Sequence, residues 1–61
     1  MSIYLESTEQ PGLYFNGTVL NKRSVTIALF GDLENARIFD DAEEAQEVSE
    51  LFEVPTEIVE V

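Results

Sequence analysis

Apolar and polar residues alternate through most of the first thirty positions and then switch to spacings of three and four. From Ser2 to Ser7, Ile3 and Leu5 fall on one side and Tyr4 and Glu6 on the other, the period of a strand. Glu9-Gln10-Pro11-Gly12 interrupts with turn chemistry, proline fixing φ and glycine admitting positive φ. Leu13 to Leu20 alternates again, with Leu13, Phe15, Gly17 and Val19 opposing Tyr14, Asn16, Thr18 and Leu20. Asn21-Lys22-Arg23-Ser24 is a polar loop of hairpin length, and Val25 to Phe30 is rich in β-formers. Three strands joined by short polar turns predict an antiparallel meander. Gly17, inside a strand pattern, predicts a bulge or a close backbone approach.

Gly31-Asp32 ends the alternation. Asp32 is placed to cap a short helical turn over Leu33-Glu34-Asn35-Ala36, and Arg37-Ile38-Phe39 has room only for a brief extended segment. Asp40-x-x-Glu43 has the form of a capping box with Asp40 as the cap. Ala42, Ala45, Val48, Leu51 and Phe52 then follow as one apolar stripe, predicting a helix from about Asp41 to Glu53. Pro55 stops it and biases Val54 to extended geometry, and Thr56 to Val61 closes the chain as a strand. The expected order is β-β-β-turn-α-β. That is an α+β fold: a small, mainly antiparallel sheet of three to four strands covered by one amphipathic helix. Phe15, Phe30, Phe39 and Phe52 are its expected core.

Length changes this picture little. Residues 1–61 make one small domain, and a chain this short buries only ~60% of the surface it exposes when unfolded. It has no cysteine or histidine, so disulfides and the usual zinc ligand sets are excluded. It also lacks a glycine-rich phosphate loop and a nucleophile elbow. Paired carboxylates need a pocket to separate their pKa values, and so thin a core offers little room for one. The expectation is a protein that is not an enzyme and takes no cofactor. Asp32-x-Glu34 and Asp40-Asp41-x-Glu43-Glu44 are rich in oxygen ligands but lack the alternate spacing and central glycine of a calcium loop. No dedicated metal site is expected.

Charge changes it most. Thirteen acids face three bases, for a net charge of −10, and all three bases (Lys22, Arg23, Arg37) lie between residues 22 and 37. Direct nucleic-acid binding and attachment to an anionic membrane are both disfavoured, because phosphate contacts need clustered Lys and Arg. A basic partner is favoured. The apolar runs are far shorter than the roughly 20 residues of a membrane span, and Met1 to Glu6 has no secretory pattern. The cytoplasm is the expected compartment.

The predicted helix concentrates this charge. Glu43, Glu44, Glu47, Glu50 and Glu53 populate its polar side, and the helix contains no Lys or Arg. An ordinary solvated face is the bland reading. Against it, Glu43/Glu47, Glu47/Glu50 and Glu50/Glu53 are like-charge neighbours, each costing ~0.2–0.5 kcal/mol. Glu50 and Glu53 also fall near the helix C-terminus, where the macrodipole disfavours negative charge. Five carboxylates over ~15 Å of helix approach the phosphate density of one DNA strand, one charge per ~3.4 Å. Tyr4 and Tyr14, opposite Leu5 and Phe15 in their strands, are the other candidate contacts, since exposed Tyr is enriched at interface anchors.

The stretch from Asp32 to Ala45, DLENARIFDDAEEA, resembles the L-x-x-A-x-x-F-x-x-x-E-E-A signature of short phage and prophage proteins. The resemblance covers about a quarter of the chain. It implies a small meander before the helix, a strand after it, and no catalytic residues. It also implies a context in which small acidic proteins bind and redirect a host protein, sometimes as DNA mimics. The leading expectation is therefore an accessory protein acting in the host cytoplasm. It would bind a basic, nucleic-acid-handling host protein through the acidic helix. Two rivals remain. One is an adaptor docking through the neutral sheet face (Tyr4, Tyr14, Asn16, Thr18), and the other is a homodimer formed through a sheet face or edge.

Overall fold

In the computed structural model, which describes residues 2–52 and 55–61, the alternating segments become strands and the stripe becomes a helix. Strands β1 (Ile3–Ser7), β2 (Tyr14–Lys22) and β3 (Val25–Gly31) lead through a short 3-10 turn (Leu33–Asn35) to helix α1 (Ala42–Ser49) and strand β4 (Thr56–Glu60). The sheet order is β3-β2-β1-β4, with every neighbouring pair antiparallel. The expected α+β architecture is thus observed, with four strands. Helix α1 packs on β1 and β4. Among the described residues, no helix is long and apolar enough to cross a membrane.

The turns follow from their residues. Pro11 and Gly12 occupy the middle of a tight turn closed by Leu13 N–H donating to the Gln10 carbonyl, and Gly12 has φ of +94°, as a type II turn requires. The β2–β3 turn is more costly. Its two central residues, Arg23 and Ser24, both have positive φ (52° and 68°), the type I′ geometry usually given to Asn-Gly.

Between Phe15 and Val19 the register of β2 against β3 shifts, a bulge centred on Gly17. Its φ of +93° is what requires glycine, because an added Cβ would meet Arg37 only at 3.6 Å, ordinary contact. Thr18 N–H donates to Asn16 Oδ1 across the bulge. β1 pairs with β2 only around Glu6 and Tyr14. Near the other end of β1 the Arg37–Phe39 segment intervenes: Arg37 N–H donates to the Phe15 carbonyl, and Phe39 N–H donates to the Ile3 carbonyl. The brief extended segment expected here therefore hydrogen-bonds to both strands and carries Phe39 into the core.

Leu5, Phe15, Ala28, Phe39 and Ala45 are buried, with Ile3, Phe30, Val48, Phe52 and Ile58 packed around them. Phe15 is central. Its ring lies 4.8 Å from Phe52, 6.2 Å from Phe30 and 6.4 Å from Phe39, centroid to centroid. All four phenylalanines thus form one cluster.

Three expectations about the helical segments need correction. The cap of α1 is Asp41, not Asp40: its carboxylate accepts from Glu44 N–H at 2.7 Å. Both aspartates stand three residues before a glutamate, so the local pattern is degenerate. Phe39, bridged to Ile3, fixes where the chain turns. The helix also ends at Ser49, not near Glu53, and Leu51 and Phe52 close it with bonds to the carbonyls three residues back. That tightening brings Phe52 onto Phe15 but turns Leu51 outward, 68% exposed, so Leu51 leaves the predicted stripe. Ala42 is exposed as well. Finally, Asp32 precedes the 3-10 turn without a side-chain capping bond. Val54 lies outside the described residues.

Candidate partner-binding surfaces

The acidic surface is built on α1. At 3.6 residues per turn, Glu43, Glu47 and Glu50 fall within about 60° of one another around the axis, roughly 160° from Ala45 and Val48. Burying Ala45 and Val48 against the sheet therefore directs those three carboxylates to solvent, and all three residues are exposed. Glu44 lies off this line and half-buried, where its Oε1 stands 3.5 Å from an Arg37 guanidinium nitrogen. Glu50 accepts a hydrogen bond from Gln46 Nε2 at 3.3 Å, one turn back. Glu53, the fifth expected acid, lies outside the described residues. The exposed row is thus three carboxylates over ~10 Å, sparser than the density read from the sequence. Among the described residues, no three acidic side chains converge closely enough to hold a metal ion. The acids form a face, not a cage.

Arg37 was not singled out by its spacing, yet it ties this surface to the core. Its backbone joins β2, its aliphatic stem lies beside Gly17, and its guanidinium carbon stands 4.9 Å from the centre of the Phe39 ring. Arg37–Glu44 is the one ion pair among the described residues. Lys22 and Arg23, the other bases, sit at the far end of the hairpin. The sign of charge is therefore segregated by element: residues 10–31 contain no acid and carry Lys22 and Arg23.

On the sheet face away from α1, Tyr4 of β1 and Tyr14 of β2 are half-buried and meet edge to face at 6.0 Å. Tyr4 pairs across the sheet with Val59. The alternation that puts Leu5 and Phe15 inside places both tyrosines here, as the sequence implied. Asn16 and Thr18, expected beside them, lie at the bulge, where Asn16 Oδ1 accepts from the Thr18 backbone N–H. The hairpin adds apolar residues that the sequence reading passed over. Val19, Leu20, Val25 and Ile27 are each 40–49% exposed. The available signal was strand length, because nine residues of β2 outrun the five of β1. The outer hairpin therefore extends beyond the covered layer, along a molecule 36 Å in its longest dimension.

Comparison of the chain with protein-family models, with curated proteins and with solved structures yields no match.

Proposed function

We propose that this chain is a small acidic binding protein that docks on a basic surface of another protein through the exposed face of α1. The observation that carries this reading is the row Glu43, Glu47 and Glu50. These side chains are aligned and exposed, and the nearest base, Arg37, is engaged by Glu44. Two of the spacings are like-charge neighbours at i,i+4 and i,i+3, each costing ~0.2–0.5 kcal/mol in a helix of only eight residues. Glutamine would supply the same polarity and helix propensity without that cost. A basic partner surface offsets the repulsion and makes the row useful.

Proteins that handle nucleic acids present such basic grooves, which makes them the favoured partner class. The resemblance over residues 32–45 adds the phage context. Whether the row also imitates a phosphate strand is decided by competition. A mimic displaces DNA or RNA from its partner, whereas a partner that holds nucleic acid while saturated with this chain is bound elsewhere. Either way, the E43Q/E47Q/E50Q variant should fold and lose most of its affinity, and undiminished binding by that variant would overturn the reading.

A second reading has its own observation, the half-buried Tyr4–Tyr14 pair on the sheet face that carries no helix. An adaptor docking there would lose affinity on Tyr4→Ser and Tyr14→Ser and be indifferent to the glutamines.

A further inference from the structure

The two edges of the sheet are guarded very differently. Edge strand β4 carries Glu57 and Glu60 within five residues and follows Pro55, and charge and proline are both common devices against edge pairing. Edge strand β3 runs Val-Thr-Ile-Ala-Leu-Phe-Gly, with no charge and no proline. Among the described residues no segment pairs with its outer side. A seven-residue, β-prone, uncharged edge is a template for another strand.

We infer that β3 pairs antiparallel with β3 of a second copy, joining two four-stranded sheets into one of eight strands. Charge selects this occupant. Each chain is −10 overall and two copies repel, but residues 10–31 contain no acid, so β3 is where a second copy approaches with least repulsion. The direction of pairing then sets opposite charges together. With the two-fold axis at Ala28, the middle of β3, Val25 lies opposite Gly31 of the second copy and Ile27 opposite Leu29. Just beyond the strand ends, this direction sets the hairpin turn that carries Arg23 of each copy near the Asp32 end of β3 of the other. Both residues are exposed, and Asp32 makes no capping bond that would occupy its carboxylate.

In the turn, Arg23 is held at φ of +52°, where asparagine or glycine fits with less strain, so its charge is carried there at a conformational cost. The exposed Ile27, on the sheet face opposite Ala28, gains Leu29 of the second copy as a cross-strand neighbour. This contact uses a surface separate from the acidic face, which each subunit would still display.

Sedimentation of the full chain from micromolar to millimolar concentration tests the inference. The expected result is a shift from 6.9 kDa to twice that mass. Arg23→Glu is a turn substitution at an exposed residue that leaves the core untouched. It should raise the dissociation constant about tenfold or more, because it turns two attractive contacts repulsive. Adding Asp32→Lys to the same chain should restore the dimer. Ile27→Lys should abolish it, and Arg23→Glu carries the test should that variant fail to fold. E43Q/E47Q/E50Q should leave the dimer intact, which separates this inference from the acidic-face proposal. A chain that stays at 6.9 kDa up to millimolar concentration overturns the inference. So does a dimer unmoved by Arg23→Glu and Ile27→Lys.

Discussion

Replacing Arg37 with methionine tests the link between the acidic helix and the core. Methionine keeps an unbranched apolar stem beside Gly17 and leaves the backbone bond to Phe15 intact, while removing the charge. Two interactions are lost. The ion pair to Glu44 is long, 3.5 Å, and its side chains are 44% and 37% exposed, so solvent screening keeps it within ~0.2–1 kcal/mol. The guanidinium over Phe39, 4.9 Å from the ring centre, contributes ~0.5–1 kcal/mol at a partly exposed site. A methionine sulfur recovers part of the aromatic contact. The expected net loss is therefore about 0.5–1.5 kcal/mol.

A chain of this size has a total stability of roughly 3–9 kcal/mol, so the change is measurable. With a urea slope near the low end for small proteins, about 1 kcal/mol per molar, the midpoint should fall by about 0.5–1.5 M. Glu44→Gln, alone and combined with Arg37→Met, completes a double-mutant cycle whose coupling energy isolates the ion pair. We expect a coupling below about 1 kcal/mol and a larger remainder from the ring contact. An unchanged midpoint in Arg37→Met would refute the role given to Arg37. A coupling above about 2 kcal/mol would refute the weak, solvent-screened pair described above.

Asp41→Ala should destabilise α1 by ~0.5–2 kcal/mol and lower its helical circular dichroism, while Asp40→Ala does neither; equal effects would undo the cap assignment. Phe15→Ala, removing the ring at the centre of the four-phenylalanine cluster, should cost ~3–5 kcal/mol. That is comparable to the whole stability, so thermal denaturation should show little folded chain near room temperature, whereas Phe52→Ala, at a half-buried position, should still fold. Ser24→Gly relieves a positive φ in the hairpin turn and should raise stability by ~1 kcal/mol, read as a higher melting temperature.

The strands were legible because a pattern with a period of two survives wherever one face is buried. Leu5 and Phe15 went inside and Tyr4 and Tyr14 to the other face as the alternation required. Gly17 was legible as an anomaly, and the positive φ of the bulge accounts for it. The helix was legible in existence and not in extent. Its cap slid by one residue because Asp40 and Asp41 are locally equivalent, and the bridge from Phe39 to Ile3 that separates them is a long-range contact. Its end came early because Phe52 is drawn to Phe15, which no local spacing encodes. Glu43, Glu47 and Glu50 line one exposed side of α1, a sparser row than the spacing predicted. Glu44 is turned toward Arg37, whose place on the opposite side of the turn is a tertiary fact. The exposed apolar hairpin was missed for a related reason: exposure depends on what covers a strand, and the cover comes from the shorter elements β1 and α1.

The proposal that the acidic face recognises a basic partner is tested most directly by parallel capture. The chain and its E43Q/E47Q/E50Q variant are immobilised at equal density and exposed to one bacterial lysate at low salt, and both are then eluted with a salt gradient. The account predicts that the chain retains basic proteins and releases them at moderate salt, and that the variant retains few or none of them. Retention of the same proteins by both, or retention that salt does not weaken, would contradict it.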